Sequence, residues 1–553
     1  MMRFPFTVEI KQRAPFLQHG LAQASIGHDA TPLLDQQGRV ILSGDQIEGY
    51  VAALMHDDKL KARWFGWPGP QVAQGVPPNE RDEFESPRRS RVKIYDLVAD
   101  KAPDQWIAMT RNRVDDETGA VEPGALQVIA QTHLPGDTVC FAGKGWVLAE
   151  NEGDAETFIA WLRAALELVP ALGAIKSGGY GEIVDKKVEG PFAGCRLAPS
   201  VTTGPTFEAV TLELTFDQPF LVDPDVSSGN VYDSAEIIPG NILKGAIADM
   251  LTLAGVKSDY DTMLEVMTVR HAFPGKGRPK ITPLSLAAVG EVLVDALSSG
   301  WEGVPRFQMD WKADDWDRAQ KQDWYRPGLL PNYVRTRTAV GSDNIAKDTN
   351  LFSQRMIATH DGDRSLKWQS ALVLPKDVDE RTQEQLGALA RFLESYGILR
   401  IGKTAAPVTV QLETYQDEPV SLEDRARIIL QTPAWMTPDS DLLDNEGNPK
   451  QARAADFYAA FFAKFDCELI DFMALQDWSG GARVVGRRSA RADRYYPWLL
   501  TRPGSVFIVR GLEPETLADW QRMGLPLPEV RNWTNCPFVR ENGYGEIRAE
   551  RHV

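Results

Sequence analysis

The sequence predicts an α+β protein made of repeated units, and three observations predict it. The pentapeptide Gly-Tyr-Gly-Glu-Ile occurs twice, at 179–183 and at 543–547, each time after a polar, basic stretch and before a β-prone run. A strand–turn–helix stretch, VILSGDQIEGYVAALM from Val40, is matched by EIIPGNILKGAIADML from Glu236, with both glycines in step. An arginine-led loop running into a strand also recurs, as RNRVDDETGAVEPGALQVIA and RTRTAVGSDNIAKDTNLFSQRMIA. Ordered matches at similar offsets imply an internal duplication.

The first unit, 1–198, opens with the strand-like FTVEIKQRAPF, followed by the short strand RVIL, a turn at Ser43-Gly44 and the helix DQIEGYVAALM, which Ser43 or Asp45 is placed to cap. A Gly/Pro-rich excursion, WFGWPGPQVAQGVPPNERDEFE, leads to a basic strand. ALQVIAQTHL and TVCFAGKGWVLA read as strands, and DAETFIAWLRAALELV has the period of an amphipathic helix. A glycine loop and a final strand close the unit. The second unit, 204–418, repeats this order: FEAVTLELTF, the turn and helix after Ile238, an extended basic loop, the helix DERTQEQLGALARFLESYG, and a loop plus strand in ILRIGKTAAPVTVQLE. Strands surrounding two helices, with long insertions, fit tandem ferredoxin-like (RRM-like) units better than a doubly wound sheet. The last stretch, 419–553, offers the strand ARIILQTPAWM, an aromatic helix, a basic loop and the second glycine loop. It reads either as a partial third unit or as the completion of an earlier sheet.

At 553 residues, 43% hydrophobic and 25% charged, the chain is globular and long enough for about three domains. Four scattered cysteines fit neither a disulfide framework nor a zinc cluster and suit a reducing cytoplasm. The N-terminus lacks a signal-peptide core, and no apolar run is long enough to span a membrane. The net charge of -17 is the wrong sign for a protein whose whole surface grips nucleic acid, so any such role must rest on local clusters.

Those clusters exist. Arg88, Arg89, Arg91 and Lys93 lie in one run, Arg111 and Arg113 in a second, Arg335 and Arg337 in a third, and Arg487 and Arg488 in an arginine–tyrosine stretch near the C-terminus. Arginines interleaved with aromatics suit phosphate contacts and base stacking along a single strand; the competing reading is a solvated positive face. The glycine loops, with Lys176, Ser177, Gly178 and Gly179 in one, permit close backbone approach and an amide cradle for phosphate, or are plain tight turns. Lys244 and Lys403 accompany glycines in the second unit, where RIGKTAAP lacks the later glycines. No nucleotide P-loop, HExxH or GxSxG is present. Asp29, in IGHDATPLLD, reads from composition alone as a turn residue. An aspartate there can also bind a divalent cation or position a 2′-hydroxyl for attack on the adjacent phosphate.

Taken together, these residues resemble the RAMP superfamily of CRISPR-associated proteins, in particular the RNA-binding backbone subunits of type III effector complexes. Ile238 to Gly245, IPGNILKG, is similar to the family's IPGSSLKG turn; in the first unit the stretch reads LSGDQIEG, with Glu48 where the family has lysine. The segment from Arg111, RNRVDDETGAVEPGAL, resembles the family's R-x-R-x-x-x-x-x-T-G-x-A-x-x-G-x-L segment, and KSGGYGEI its terminal glycine loop. Ile26 to Asp35 resembles the loop that carries the catalytic aspartate, with one residue missing between glycine and aspartate. The resemblance covers residues 1–415 as two fused units and implies a subtype D-like arrangement. It implies binding of crRNA and complementary target RNA, with thumbs bending the duplex at regular intervals, and partnership with other type III effector subunits. It also implies target cleavage through Asp29 with Mg²⁺ or Mn²⁺. Asp223, Asp225 and Asp233 lie at the corresponding place in the second unit without the isoleucine–glycine context. The alternatives are a purely structural RNA-binding subunit and a pre-crRNA processing endoribonuclease; the latter is disfavoured because His19, His28 and His133 form no pair in sequence.

Overall fold

A computed structural model of the chain describes residues 1–20, 28–35, 37–67, 88–103, 106–112, 117–121, 126–199, 206–223, 225–228, 230–277, 280–289, 292–297, 324–325, 328–340, 346–416, 425–438, 453–480, 497–528 and 536–551. The first sheet runs in space Glu182–Glu189, Met2–Arg13, Thr138–Ala149, Leu97–Ala99, with Ile41–Leu42 beyond. Counted along the chain, its four main strands lie in the order 4-1-3-2. Helices Gly44–Leu54 and Glu152–Glu167 supply the two crossovers. This is the mixed α/β topology of a ferredoxin-like fold.

The sequence explains the sheet. Along Met2–Arg13 alternate side chains Phe4, Phe6, Val8 and Ile10 are buried, and they pack with Phe158, Ile159 and Leu162 of the second helix. Each such burial stabilises by about 1.5–3 kcal/mol. The strand pairs antiparallel with Thr138–Ala149 from Met2↔Ala149 to Arg13↔Thr138. Asn151 caps the second helix by accepting the Asp154 N–H at 3.0 Å. The expected cap of the first helix is different: Ser43 occupies the N-cap position without bonding the helix, and the Gly44 N–H donates instead to Asp96 Oδ1 at 2.9 Å.

The second sheet repeats the order with Ala406–Glu413, Ala209–Phe216, Trp368–Val373 and Thr268–Val269, and adds Ile398–Ile401 at one edge. Its helices are Gly240–Ala254 and Glu380–Tyr396. The stretch that sequence left open forms a sheet of its own: Ile547–Arg551, Arg425–Leu430, Val506–Arg510 and Glu468–Met473, again 4-1-3-2. Helices Ala454–Ala463 and Pro514–Met523 cross it.

Between the second and third strands of every sheet stands an antiparallel arm. The arms are Ile107–Arg111 with Gln127–Gln131, Asn332–Val340 with Ala346–Ile357, and Gln476–Gly480 with Pro497–Thr501. The second arm reaches back to the first unit, where Gly20 pairs with Arg335 and His19–Gly20 pairs with Thr31–Pro32. The units are also joined through their cores. Trp146, Leu148 and Leu197 of the first unit belong to the cluster built around Leu212, Phe220 and Trp368. Among the described residues no helix is long and apolar enough to cross a membrane.

Candidate nucleic-acid interface

Three separate segments of the first unit meet at one exposed end. A small cluster of Leu17, Ile129 and Tyr180, with Ala30, Ala174 and Ile175 against it, ties together the Asp29 segment, the first arm and the glycine loop. Asp29 is clipped to the arm twice: its N–H donates to the Val128 carbonyl and its Oδ2 accepts the Val128 N–H, both at 2.7 Å. Its side chain is nonetheless exposed. Arg111, the last residue of the arm strand, is exposed, and its guanidinium lies 3.7 Å from where a Cβ on Gly178 would stand. Lys176, Gly178 and Gly179 are exposed beside it, with the Lys176 ammonium 4.0 Å from the centre of the Tyr50 ring. A carboxylate, an arginine, a lysine and a glycine turn therefore share one surface, a combination suited to a phosphodiester backbone.

The glycine loop is built differently from an amide cradle. Lys176–Gly178 is a 3-10 turn in which Gly178 N–H donates to Ile175 O (2.9 Å) and Gly179 N–H to Lys176 O (3.0 Å). Those amides are engaged inside the loop, and Ser177 contributes its backbone to the same turn. Gly181, at φ 71°, sits so close to the Leu172 carbonyl that a Cβ would fall 2.0 Å from the oxygen. Its N–H donates to Pro15 O at 2.8 Å. What the loop offers to solvent is a low surface with a lysine on it.

The other basic residues go elsewhere. Arg335 is buried, donating to Asp96 Oδ2 at 2.7 Å and lying 3.5 Å from Asp45 Oδ2, and Arg337 also pairs with Asp45. Lys93 is buried against Asp45 at 2.8 Å. Burial works to raise the Asp45 carboxyl, but Lys93, Arg337 and Arg335 together hold it well below the usual carboxylate range. Glu48 beside them is pushed up to about 7 by burial, with Lys93 acting against it and Asp45 adding to it. Arg89 reaches Asp249 of the second unit at 3.2 Å, Arg91 is half-buried 3.9 Å from Glu150, and the Arg88 backbone pairs with Trp67. Lys244 is fully buried, donating to the carbonyls of Met267 (2.7 Å) and Glu541 (3.1 Å), and burial lowers its pKa to about 7. Lys403 lies exposed with its ammonium 5.1 Å from the centre of the Tyr232 ring. Arg113, Arg487 and Arg488 lie outside the described residues; the last two fall in sequence between the paired strands of the third arm.

Two structural features around the site were not read from sequence. One is the set of carboxylates, Asp45 and Asp96, that receives the second arm. The other is a segment following the first strand of each sheet, Pro15-Phe16-Leu17, Pro219-Phe220-Leu221 and Pro433-Ala434-Trp435, whose carbonyls bind the closing loops. The repeated Pro-Phe-Leu was the available signal. The outer face of the first sheet is lined by Thr7, Glu9, Lys144, Lys187 and Glu189 around a hollow of about 390 Å³ with no aromatic in its lining, so it carries no base-stacking platform there. Among the described residues no group of three or more potential metal ligands converges.

No family model and no curated protein matches the chain. Among solved structures, a chain of the type III-B Cmr-beta complex bound to cognate target RNA and AMPPnP, state 1, is similar over 54% of this chain and 86% of its own, at 12% identity and a TM-score of 0.29. A chain of type III-B Cmr-beta bound to cognate target RNA is similar over 34% of this chain and 62% of its own, at 14% identity and a TM-score of 0.22.

Proposed function

We propose that this chain is an RNA-binding subunit of a type III CRISPR ribonucleoprotein. In this reading it consists of tandem ferredoxin-like RAMP units that hold crRNA and its complementary target beside other effector subunits, and it cuts target RNA at Asp29. The observation that carries the reading is the convergence of Asp29, Arg111 and the Lys176–Gly179 turn on Leu17, Ile129 and Tyr180. The motifs that resemble the RAMP arginine-led segment, catalytic loop and glycine loop are far apart in sequence, and they meet at one exposed end. Arg111 and Lys176 are suited to the phosphates, and the Asp29 carboxylate to the scissile linkage. A Mg²⁺ or Mn²⁺ ion there would take one carboxylate from the protein and its other ligands from RNA phosphate and water, a donor set common for Mg²⁺. When bound, the ion would neutralise charge developing on the phosphate; Asp29 itself is held at the arm by the Val128 amide.

That same bond favours a second reading, in which Asp29 only fastens the arm and the subunit binds RNA without cutting it. The two separate cleanly. The purified complex, its guide RNA and an end-labelled complementary RNA are incubated with Mg²⁺ or Mn²⁺, and cleavage and binding are measured together. Asp29→Asn keeps an acceptor for the Val128 N–H and removes the charge. Loss of one cut in both Asp29→Asn and Asp29→Ala, with binding retained, is the expected result. Full cleavage by Asp29→Asn refutes catalysis at this residue.

A further inference from the structure

The buried charges between the units have a sense that reverses from one junction to the next. At the first junction the first unit presents carboxylates, Asp45, Glu48 and Asp96, and the second unit answers with Arg335, Arg337 and Arg400. Arg400 is buried, stacks 4.9 Å from the centre of the Trp146 ring of the first unit, and acts electrostatically on Glu48. At the second junction the second unit presents the cations. Lys244 donates to the Glu541 carbonyl and feels the Glu541 carboxylate, and buried Arg270 lies 3.5 Å from buried Glu546 of the third unit. Arg270 also donates to the carbonyls of Gln521 and Arg522, both at 2.9 Å.

Glu48 and Lys244 make the reversal concrete, because they occupy the same place in equivalent helices. Gly44 and Gly240, four residues earlier, each press against a carbonyl of the adjoining strand, 2.1 Å from Ile94 O and 2.0 Å from Val269 O to an added Cβ. One unit carries an acid at this position and the next a base, and each meets the opposite sign. The pairs that run the other way, Arg89 with Asp249, Lys144 with Asp217 and Arg522 with Glu208, each include a partner with half or more of its side chain exposed; exposed pairs contribute little.

We infer that these buried charges sort the units: with Lys93 and Arg522 counted, both outer units carry an excess of acid and the middle unit an excess of base where they meet, so each outer unit accepts the middle one and rejects the other. Were the third unit to take the place of the second on the first, Glu541 and Glu546 would be brought toward Asp45, Glu48 and Asp96. Such an excess of carboxylates over cations in a desolvated junction is strongly unfavourable, and specificity of this kind comes from repulsion as much as attraction. Three units of one topology need such a device, since repeated domains misassemble and swap between chains during folding.

Two variants of the full chain test this, read by the yield of monomer after refolding from denaturant and by light scattering. Exchanging one pair at each junction (Glu48→Arg with Arg400→Glu, Arg270→Glu with Glu546→Arg) keeps the exchanged positions of outer and middle units opposite in sign. Exchanging the pair at the second junction alone (Arg270→Glu with Glu546→Arg) keeps the local attraction and gives the third unit a cation that fits the first unit's carboxylates. The expected result is a monomer yield at least about threefold lower for the single exchange than for the double, with dimers or larger species making up the loss. A yield from the single exchange equal to or above that of the double overturns the inference, whatever either yield is relative to the parent chain.

Discussion

In the first unit Tyr180 packs on Leu17 and on Ile129 of the arm; in the third, Tyr544 shares a cluster with Trp435 and Leu500, the latter again from an arm. Both Gly-Tyr-Gly-Glu-Ile loops begin with a 3-10 turn and pass through two glycines at positive φ, 81° and 71° in one, 82° and 75° in the other. Gly181 and Gly545 each donate to the proline carbonyl after the first strand of their sheet. The surroundings differ. The first loop is exposed at Lys176, Gly178 and Gly179, whereas the third is covered by the second unit, whose Gly240 lies against the Asn542 carbonyl and whose His271 ring meets Tyr544 edge-on at 4.7 Å. The motif thus specifies a backbone shape, and its use depends on what stands opposite: one copy is a surface next to Asp29, the other a socket for the neighbouring helix.

Alanine at equivalent glycines gives the largest test of this difference. At Gly179 an added Cβ meets nothing within 4 Å, so Gly179→Ala costs only the left-handed backbone, about 1–2 kcal/mol. At Gly543 the same Cβ would stand 2.6 Å from Val269 O and 2.8 Å from His271 N. Gly543→Ala therefore adds an overpacking cost of about 1–3 kcal/mol and loosens the second junction. Denaturant midpoints should fall further for Gly543→Ala, with faster hydrogen exchange at residues 267–271. Equal losses would mean that the two loops are covered alike.

The shape of these loops was legible in sequence, and their surroundings were not. Alternation in Met2–Arg13, the amphipathic helices and the repeated glycines all act locally, so strand, helix and turn could be read directly. The end that holds Asp29 was legible only through a resemblance, because its three segments meet through Leu17, Ile129 and Tyr180, and no local pattern encodes that contact. The arginine clusters show the limit most plainly. Arg111 and Arg335 lead matched segments, yet Arg111 is exposed at the glycine loop and Arg335 is buried on Asp96. Charge along a chain does not say which cations already have a carboxylate partner elsewhere in the fold. The short helix Asp58–Phe65, capped by Asp57, also went unread, since it carries too few turns for a clear period.

The two junctions should also respond oppositely to pH. Glu48, faced by Lys93, Asp45 and Arg400, has its pKa raised from 4.5 to about 7 by burial. Its stabilising contribution is full below the unfolded value and is lost as pH rises through about 7. Lys244, faced by Glu541 and Glu265, has its pKa lowered from 10.5 to about 7 by burial. Its contribution is full above the unfolded value and is lost as pH falls through about 7. A whole proton of difference between folded and unfolded states is worth about 1.4 kcal/mol per pH unit. Glu48→Gln should flatten the stability profile between pH 4.5 and 7, and Lys244→Met between 7 and 10.5. A profile unchanged by either substitution would show that the charge in question is solvated in the folded chain.

The smallest effect belongs to the exposed loop, and it bears on function. Arg111 is solvent-exposed, so Arg111→Ala should leave the denaturant midpoint within about 0.5 kcal/mol of the parent. If the first loop and its arm form the RNA surface, the same substitution removes one phosphate contact. Affinity for RNA then falls by a similar factor for every sequence tested, and the slope of log affinity against log salt drops by about one contact's worth. Arg540, which opens the third loop where Lys176 opens the first, pairs with Asp519 at 3.1 Å on a loop that the second unit covers. Arg540→Ala should leave the salt slope untouched. A reduced slope in both variants would place RNA on the third loop as well, and the contrast between surface and socket would fail at its functional end.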